Sequence, residues 1–161
     1  TSRDVVLGIS ASGRTPFVVG ALSEARRAGS TTVALACNRD TEIGRLCDIA
    51  IEIPVGPEVI AGSTRLNAGT VQKIVLNVIS TAVMVQLGKT FGNVMIDLRP
   101  TNEKLRERAI RMVARVAHCG AEQAREALEL SSWRPKVAAL MVMAHLDADE
   151  AQSELDRVRG H

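Results

Sequence analysis

A chain of 161 residues, 46% hydrophobic and 24% charged, has the composition of a soluble globular protein, long enough for one domain with a small appendage, which argues against disorder. A formal charge of +2 without a long Lys/Arg run, with one Trp, two Phe and no Tyr, provides neither the electrostatic footprint nor the stacking rings of a nucleic-acid binder. Cys37, Cys47 and Cys119 are odd in number and lack paired short spacings, so neither a disulfide framework nor a zinc site is expected, and a reducing, cytoplasmic setting fits best. All three read as small buried hydrophobes, and His118 beside Cys119 is not a convincing metal-ligand pair.

In chain order, Val5 to Ile9 is a short continuous apolar run bounded by Asp4 and a Ser/Gly cluster, as in a strand buried on both faces. Pro16 suits the first turn of the helix that follows, in which Phe17, Val18, Ala21, Leu22 and Ala25 recur at helical spacing before Gly29 ends it. Thr31 to Ala36 reads as a second strand. Asp40 to Leu46 offers a cap and one or two helical turns, and Asp48 to Ile53 alternates at period two as a third strand, nearer an edge, before Pro54 and Gly56. Strand, helix, strand, short helix, strand is the pattern of parallel pairing by right-handed crossovers, so the expected class is α/β.

From about Ser63 to Leu87 the spacing predicts one long helix, apolar on most of its circumference through Leu66, Val71, Ile74, Val75, Val78, Ile79, Ala82 and Val83, and therefore buried. Its longest apolar run, Ile74 to Leu87, holds Asn77, Ser80, Thr81 and Gln86 between Lys73 and Lys89, too short and too interrupted for the roughly 20 apolar residues of a bilayer-spanning helix. No signal peptide is read, since the chain opens on Thr-Ser-Arg-Asp and goes directly into a strand. Asn93 to Leu98 reads as a short extended piece. After Pro100 the sequence turns charged and helical: Thr101 is positioned to cap a helix to about Ala117, Gly120 breaks it, and shorter helices are expected over Ala121 to Leu130, Pro135 to Ala144 and Asp147 to Arg159. Ala124, Leu128, Val137, Leu140 and Met141 are their expected core.

In an open parallel sheet, ligands collect beyond the carboxyl ends of the strands. Ser10, Ala11, Ser12, Gly13 and Thr15 stand there after the first strand: Gly13 permits close backbone approach, the following helix turn offers free amides, and the three hydroxyls add donors for a phosphate. The same composition also makes a plain cap and turn. The run is no Walker loop, lacking Gly-Lys-Ser/Thr, and no dinucleotide fingerprint, lacking three spaced glycines. Farther on, Ser63 and Thr64 are expected to cap the long helix. Arg65, unfavourable for the helix dipole in the first turn, needs a carboxylate or phosphate partner, with Glu58 nearest in sequence. A structural Glu58–Arg65 ion pair and a ligand-facing pair both fit.

The run Ile9 to Thr15 resembles the Ser-x-Ser-Gly-x-Thr loop of sugar isomerase domains, which bind sugar phosphates. The longer stretch Gly56-Pro57-Glu58-Val59-Ile60-Ala61-Gly62-Ser63-Thr64-Arg65-Leu66-Asn67-Ala68-Gly69-Thr70-Val71-Gln72-Lys73 resembles the signature shared by bacterial N-acetylmuramic acid 6-phosphate etherases and the glucokinase regulatory protein. Cys37-Asn38, Asp40, Glu42-Ile43, Asp48 to Glu52 and Thr101 to Leu105 are also similar to the etherases, so the resemblance covers essentially the whole chain. Asn67 departs from it where Lys is usual, removing one potential anion contact.

The resemblance implies a partial parallel sheet of a Rossmann-like sugar isomerase domain over residues 1–98. It also implies a connecting helix over 99–117 and a small ubiquitin-associated-like helical bundle over 118–161. It further implies a cofactor-free carbon–oxygen lyase that cleaves the D-lactyl ether of N-acetylmuramic acid 6-phosphate during amino-sugar recycling, giving N-acetylglucosamine 6-phosphate and D-lactate. No metal is implied. A base removes the C2 proton, an acid protonates the departing ether oxygen, and water adds at C3. The implied substrate contacts are Ser10, Ala11, Ser12, Gly13, Thr15, Glu58, Ser63, Thr64 and Arg65. The acid and base glutamates of the family lie upstream of the segment matched here, so an N-terminally truncated member with little activity of its own is expected. A homodimer is expected too, because exposed strand edges and apolar surface invite pairing. The alternatives are a non-catalytic sugar-phosphate sensor like the glucokinase regulatory protein, an aminosugar-phosphate isomerase, which would lack the Gly-Pro-Glu stretch, and a fragment that binds nothing.

Overall fold

The computed structural model describes residues 1–158, so Arg159, the expected end of the last helix, lies outside the described residues. Packing divides the chain into two compact units, Thr1–Ile79 and Ser80–His161. The class is α/β, with a small parallel sheet.

In the first unit β1 (Val5–Ser10), β2 (Thr31–Ala36) and β3 (Ile49–Glu52) pair in parallel in the order β1-β2-β3, with Gly8 beside Ala34 and Ala34 beside Ala50. Only the central strand is flanked on both sides. Ala34, Leu35 and Ala36 are accordingly fully buried, whereas Val5 at the start of β1 is 66% exposed, so the expectation of β1 buried on both faces is corrected. Helix α1 (Pro16–Arg27) follows β1, with Pro16 in its first turn and Gly29 at φ 81° just beyond its end. Helix α2 (Glu42–Leu46) follows β2. Leu22 of α1 and Ile43 of α2 pack on Ala34 and Ala36 with Val6 and Val18, which makes one apolar layer between sheet and helices. Gly8 is needed for this approach, since a Cβ there would stand 2.4 Å from Leu22 Cδ1.

Helix α3 runs over Asn67–Gln86, beginning later than the pattern of apolar residues predicts. It is not buried. Ala68 is its one buried residue, while Ile74, Val78, Val83, Met84 and Val85 are roughly half exposed or more. The apolar circumference records a demand for cover, and the three-strand sheet and two short helices of the first unit do not supply it. By length and composition alone, α3 is long and apolar enough to cross a membrane.

In the second unit β4 (Thr90–Phe91) and β5 (Val94–Met95) form an antiparallel hairpin where a lone extended piece was expected, with Gly92 at φ 55° in the turn. Four helices follow: α4 (Glu103–Val116), α5 (Ala121–Leu130), α6 (Pro135–Ala144) and α7 (Ala148–Arg157). Asn102, not Thr101, caps α4 by accepting from the Leu105 N–H at 2.9 Å. A capping box closes the start of α7, where the Asp147 carboxylate accepts from Glu150 N and the Glu150 side chain accepts from Asp147 N. Ile110, Val113, Ala124, Leu128 and Ala138 form the main cluster of this unit. Val137 and Met141 form another with Ala151, against which Leu140 is half-buried. Of the three free cysteines, Cys37 is buried and Cys47 and Cys119 are half-buried.

Leu128 is fully buried among α4, α5 and α6 residues. Leu128→Ala is expected to cost about 3 kcal/mol of stability, through lost transfer free energy and the cavity left behind. A urea denaturation midpoint followed by circular dichroism checks this; an unchanged midpoint would place Leu128 outside the cooperative core.

Candidate functional site

The carboxyl ends of β1 and β2 set the first site. After Ser10 the chain turns tightly: Gly13 N donates to Ser10 O at 3.1 Å and to Ser10 Oγ at 3.0 Å, with Gly13 at φ 71°. Ser10 Oγ lies 2.8 Å from Thr15 Oγ1 and 3.4 Å from Ser12 Oγ, so the three hydroxyls converge on one spot. Ser10 is buried beneath Ser12 and Thr15, the more exposed members of the cluster.

Thr15 occupies the N-cap position of α1 with extended backbone, yet its side chain makes no cap hydrogen bond. Pro16 has no N–H, and Val19 N already donates to Thr15 O. The Phe17 and Val18 amides are therefore left without a helical acceptor, at the positive end of a 12-residue helix with no acidic residue in its first turn. Three hydroxyls beside an uncapped helix start suit a phosphate's oxygens.

The loop is held from beneath by residues that sequence reasoning did not select. Cys37 N and Asn38 Nδ2 both donate to Ala11 O, each at 3.0 Å, and Ile43 N donates to Gly13 O at 3.1 Å. Thr41, rather than Asp40, caps α2, accepting from Gly44 N at 3.0 Å. Its side chain packs so closely on the loop that a Cβ on Gly13 would lie 2.3 Å from Thr41 Cβ. Thr41 is fixed in turn by Glu52, whose carboxylate accepts from Thr41 Oγ1 at 2.6 Å, Thr41 N at 2.8 Å and Asp40 N at 2.9 Å. These donors hold the Glu52 carboxyl below the usual range, the Thr41 hydroxyl and amide contributing most. The one sequence signal was the resemblance that includes both Asp40 and Glu52.

Glu58 has a different partner from the one expected. Its two oxygens accept from Asn67 N at 2.7 Å and Ala68 N at 3.0 Å, so Glu58 caps α3 from nine residues upstream. Arg65 is exposed and makes no ion pair with Glu58, and the Ser63 and Thr64 side chains make no hydrogen bond among the described residues. The Ser63–Leu66 segment is instead a series of turns after Gly62, at φ 80°, closed by Leu66 N on Ser63 O and Gly69 N on Thr64 O. The start of α3 still reaches the strand ends. Cys37 Sγ lies 3.8 Å from Ala68 O and 3.8 Å from Gln72 Nε2, and burial together with the Glu58 charge pushes its thiol up, against the Gln72 contact. Ser10, Ser12, Gly13 and Thr15 thus form one cluster, and Glu58 is linked to it through Ala68, Cys37 and Ala11. Among the described residues, no group of three or more His, Cys, Asp or Glu side chains is placed to hold a metal ion.

Comparison with known families matches residues 1–82 to the SIS domain and residues 92–151 to the C-terminal lid domain of glucokinase regulatory protein. Over 160 residues the chain is 48% identical to N-acetylmuramic acid 6-phosphate etherase of Oenococcus oeni, covering 99% of this chain and 54% of that protein. It is 52% identical to the enzyme of the same name from Edwardsiella ictaluri, covering 99% and 53% respectively. The corresponding figures for Mycolicibacterium smegmatis are 50%, 99% and 54%. The chain spans about half the length of the curated relatives it matches.

A carboxyl held below its ordinary value in the fold stabilises it above the unfolded value, and that contribution is lost as pH falls through the folded value. The Glu52 clamp is therefore intact at neutral pH and releases on acidification below the normal glutamate range. Protection of the Gly13, Thr41 and Ile43 amides from exchange, taken relative to the intrinsic rate at each pH, is expected to fall on that descent, and in Glu52→Ala to be low at pH 7 already; equal protection in wild type and variant would remove Glu52 from this role.

Proposed function

The chain belongs to the SIS domain family, and on that premise we propose that it forms the phosphate-holding part of an N-acetylmuramic acid 6-phosphate etherase. The observation that carries this reading is the convergence of Ser10, Ser12 and Thr15 hydroxyls beside the uncapped start of α1. Relatives bearing the etherase name at about half identity support the enzyme over a non-catalytic sensor of the glucokinase regulatory protein kind. The phosphate is read as sitting against Ser10, Ala11, Ser12, Gly13 and Thr15. The turn of Ser63, Thr64 and Arg65 and the Glu58-capped start of α3 are read as facing the rest of the sugar.

The reaction proposed is elimination of D-lactate followed by addition of water, with no cofactor and in the cytoplasm. It needs an acid and a base that exchange one proton each with the substrate. On the family resemblance, these are glutamates of a segment upstream of the one matched here. Residues 1–98 are read as the sugar isomerase part, 99–117 as a connecting helix and 118–161 as a ubiquitin-associated-like bundle. A homodimer is proposed, since α3 presents an apolar face that a second copy would cover.

Calorimetric titration of the chain with N-acetylmuramic acid 6-phosphate is expected to give saturable binding that Ser12→Ala weakens about tenfold or more, in line with about 1.5 kcal/mol for a hydrogen bond to a charged group. Little lactate is expected to be released. Absence of binding would overturn the site, and rapid lactate release would overturn the assignment of acid and base to another segment. By light scattering the chain is expected to associate with itself, and Ile74→Lys with Val78→Lys to shift it to monomer. A wild-type monomer at high concentration would contradict the dimer.

A further inference from the structure

Helix α4 carries Lys104, Glu107, Arg108 and Arg111, and α5 carries Glu122, Arg125, Glu126 and Glu129. The spacing is the same in both helices, i, i+3, i+4 and i+7, and the sign of the charge is reversed at every position. In each helix the first, third and fourth of these residues share one face, since steps of four and three residues bring side chains over one another. On α4 that face continues one turn further to Arg115. All of these side chains are exposed, and the buried residues of the two helices, Ala109, Ile110, Val113, Ala124, Ala127 and Leu128, point into the core of the second unit instead. The charges on both faces are largely uncompensated. Arg111 Nη1 lies 3.7 Å from Glu107 Oε2, and Arg115 donates from Nη2 to the neutral Asn93 Oδ1 at 3.3 Å. The side chains of Lys104, Arg108, Glu122, Glu126 and Glu129 enter no hydrogen bond or ion pair among the described residues.

A row of like charges on one helix face is relieved by a row of the opposite sign at the same spacing. We propose that α4 and α5 form a self-complementary docking surface, in which the basic face of α4 receives the acidic face of α5 from a second copy of this chain. Laid parallel in register, the faces set Lys104 by Glu122, Arg108 by Glu126 and Arg111 by Glu129. One residue further on, Leu130 of α5 falls opposite Met112 of α4. There Val94, Met95 and Met112 line a concavity of about 300 Å³ with Arg108, Arg111 and Arg115. Leu130 is 64% exposed and Met95 47%, so the register that pairs the charges also covers apolar surface on both sides. Each copy carries both faces, and a two-fold pair satisfies them together. Charged pairs of this kind fix partner and register more than they add strength, so the association is weak and sensitive to salt. The surface shares no residue with α3 and does not depend on the proposed etherase reading.

The test is sedimentation velocity of the full chain carrying Ile74→Lys and Val78→Lys, which removes the apolar contact proposed for α3 and keeps the two contacts separable. At an ionic strength of about 0.15 M, where the screening length is about 8 Å, this chain is expected to be monomeric, and at about 0.01 M, where it is about 30 Å, to self-associate as concentration rises. Arg108→Glu with Arg111→Glu is expected to weaken that association at least tenfold, and so is Glu126→Arg with Glu129→Arg, because each pair makes the two faces alike in charge. All four substitutions together exchange the signs of the faces, leave the net charge of the parent unchanged, and are expected to restore association. Leu130→Ser is expected to weaken it several-fold. Absence of association at low ionic strength, association that survives either double reversal, or a fourfold variant that keeps its circular dichroism but stays monomeric would each overturn the proposal.

Discussion

The first unit depends on a single close approach, that of Gly13 to the Thr41 side chain. No Cβ fits between them, so the serine loop and the α2 cap can be neighbours only with glycine at this position. Once they are neighbours, Gly13 O receives the Ile43 amide, and Ser10 Oγ receives the Gly13 amide and meets Thr15. The hydroxyl cluster thereby inherits its position from the β2–α2 connection. Glu52, at the end of β3, transmits the third strand's position to the same point through Thr41. Three successive parallel strands therefore fix one loop, and its place at the strand ends follows from topology and steric exclusion together.

Helix α3 follows a different logic. Its middle and carboxyl-terminal turns are rich in Ile, Leu and Val but lie open to solvent, while its first turn is held by Glu58, Ala68, Cys37 and Gln72. Hydrogen bonds and one small buried residue anchor the start. The rest awaits apolar contact from outside the first unit's own sheet and helices. A large exposed apolar surface on a folded chain is a mark of an interface.

Much of the fold was legible locally. Thr31–Ala36, Ala121–Leu130 and Pro135–Ala144 have the limits expected from their sequence, because Gly29, Gly120 and Pro135 punctuate them. The serine loop was legible as a potential anion site because glycine, hydroxyls and a proline-started helix are adjacent in sequence. What was not legible is non-local. The cap of α3 comes from Glu58 rather than the adjacent Ser63 and Thr64, and the support beneath Gly13 comes from Thr41 and Glu52, which no short-range rule connects to it. Apolar periodicity in α3 announced that the helix needs cover, but periodicity carries no information on which surface provides it. Arg65 was paired with Glu58 on proximity in sequence, and the backbone amides of Asn67 and Ala68 were the competitors that won.

That outcome makes Glu58 a positioning group. Each of its oxygens receives one amide hydrogen from the start of α3, so the carboxylate ties the loop before the helix to its first turn. Loss of this carboxylate would loosen the first turn of α3 and, through Ala68 and Cys37, the chain beside the serine loop. Glu58 is thereby a hinge pin: it keeps the loop before α3 and the first turn of that helix in register with the chain beside the serine loop.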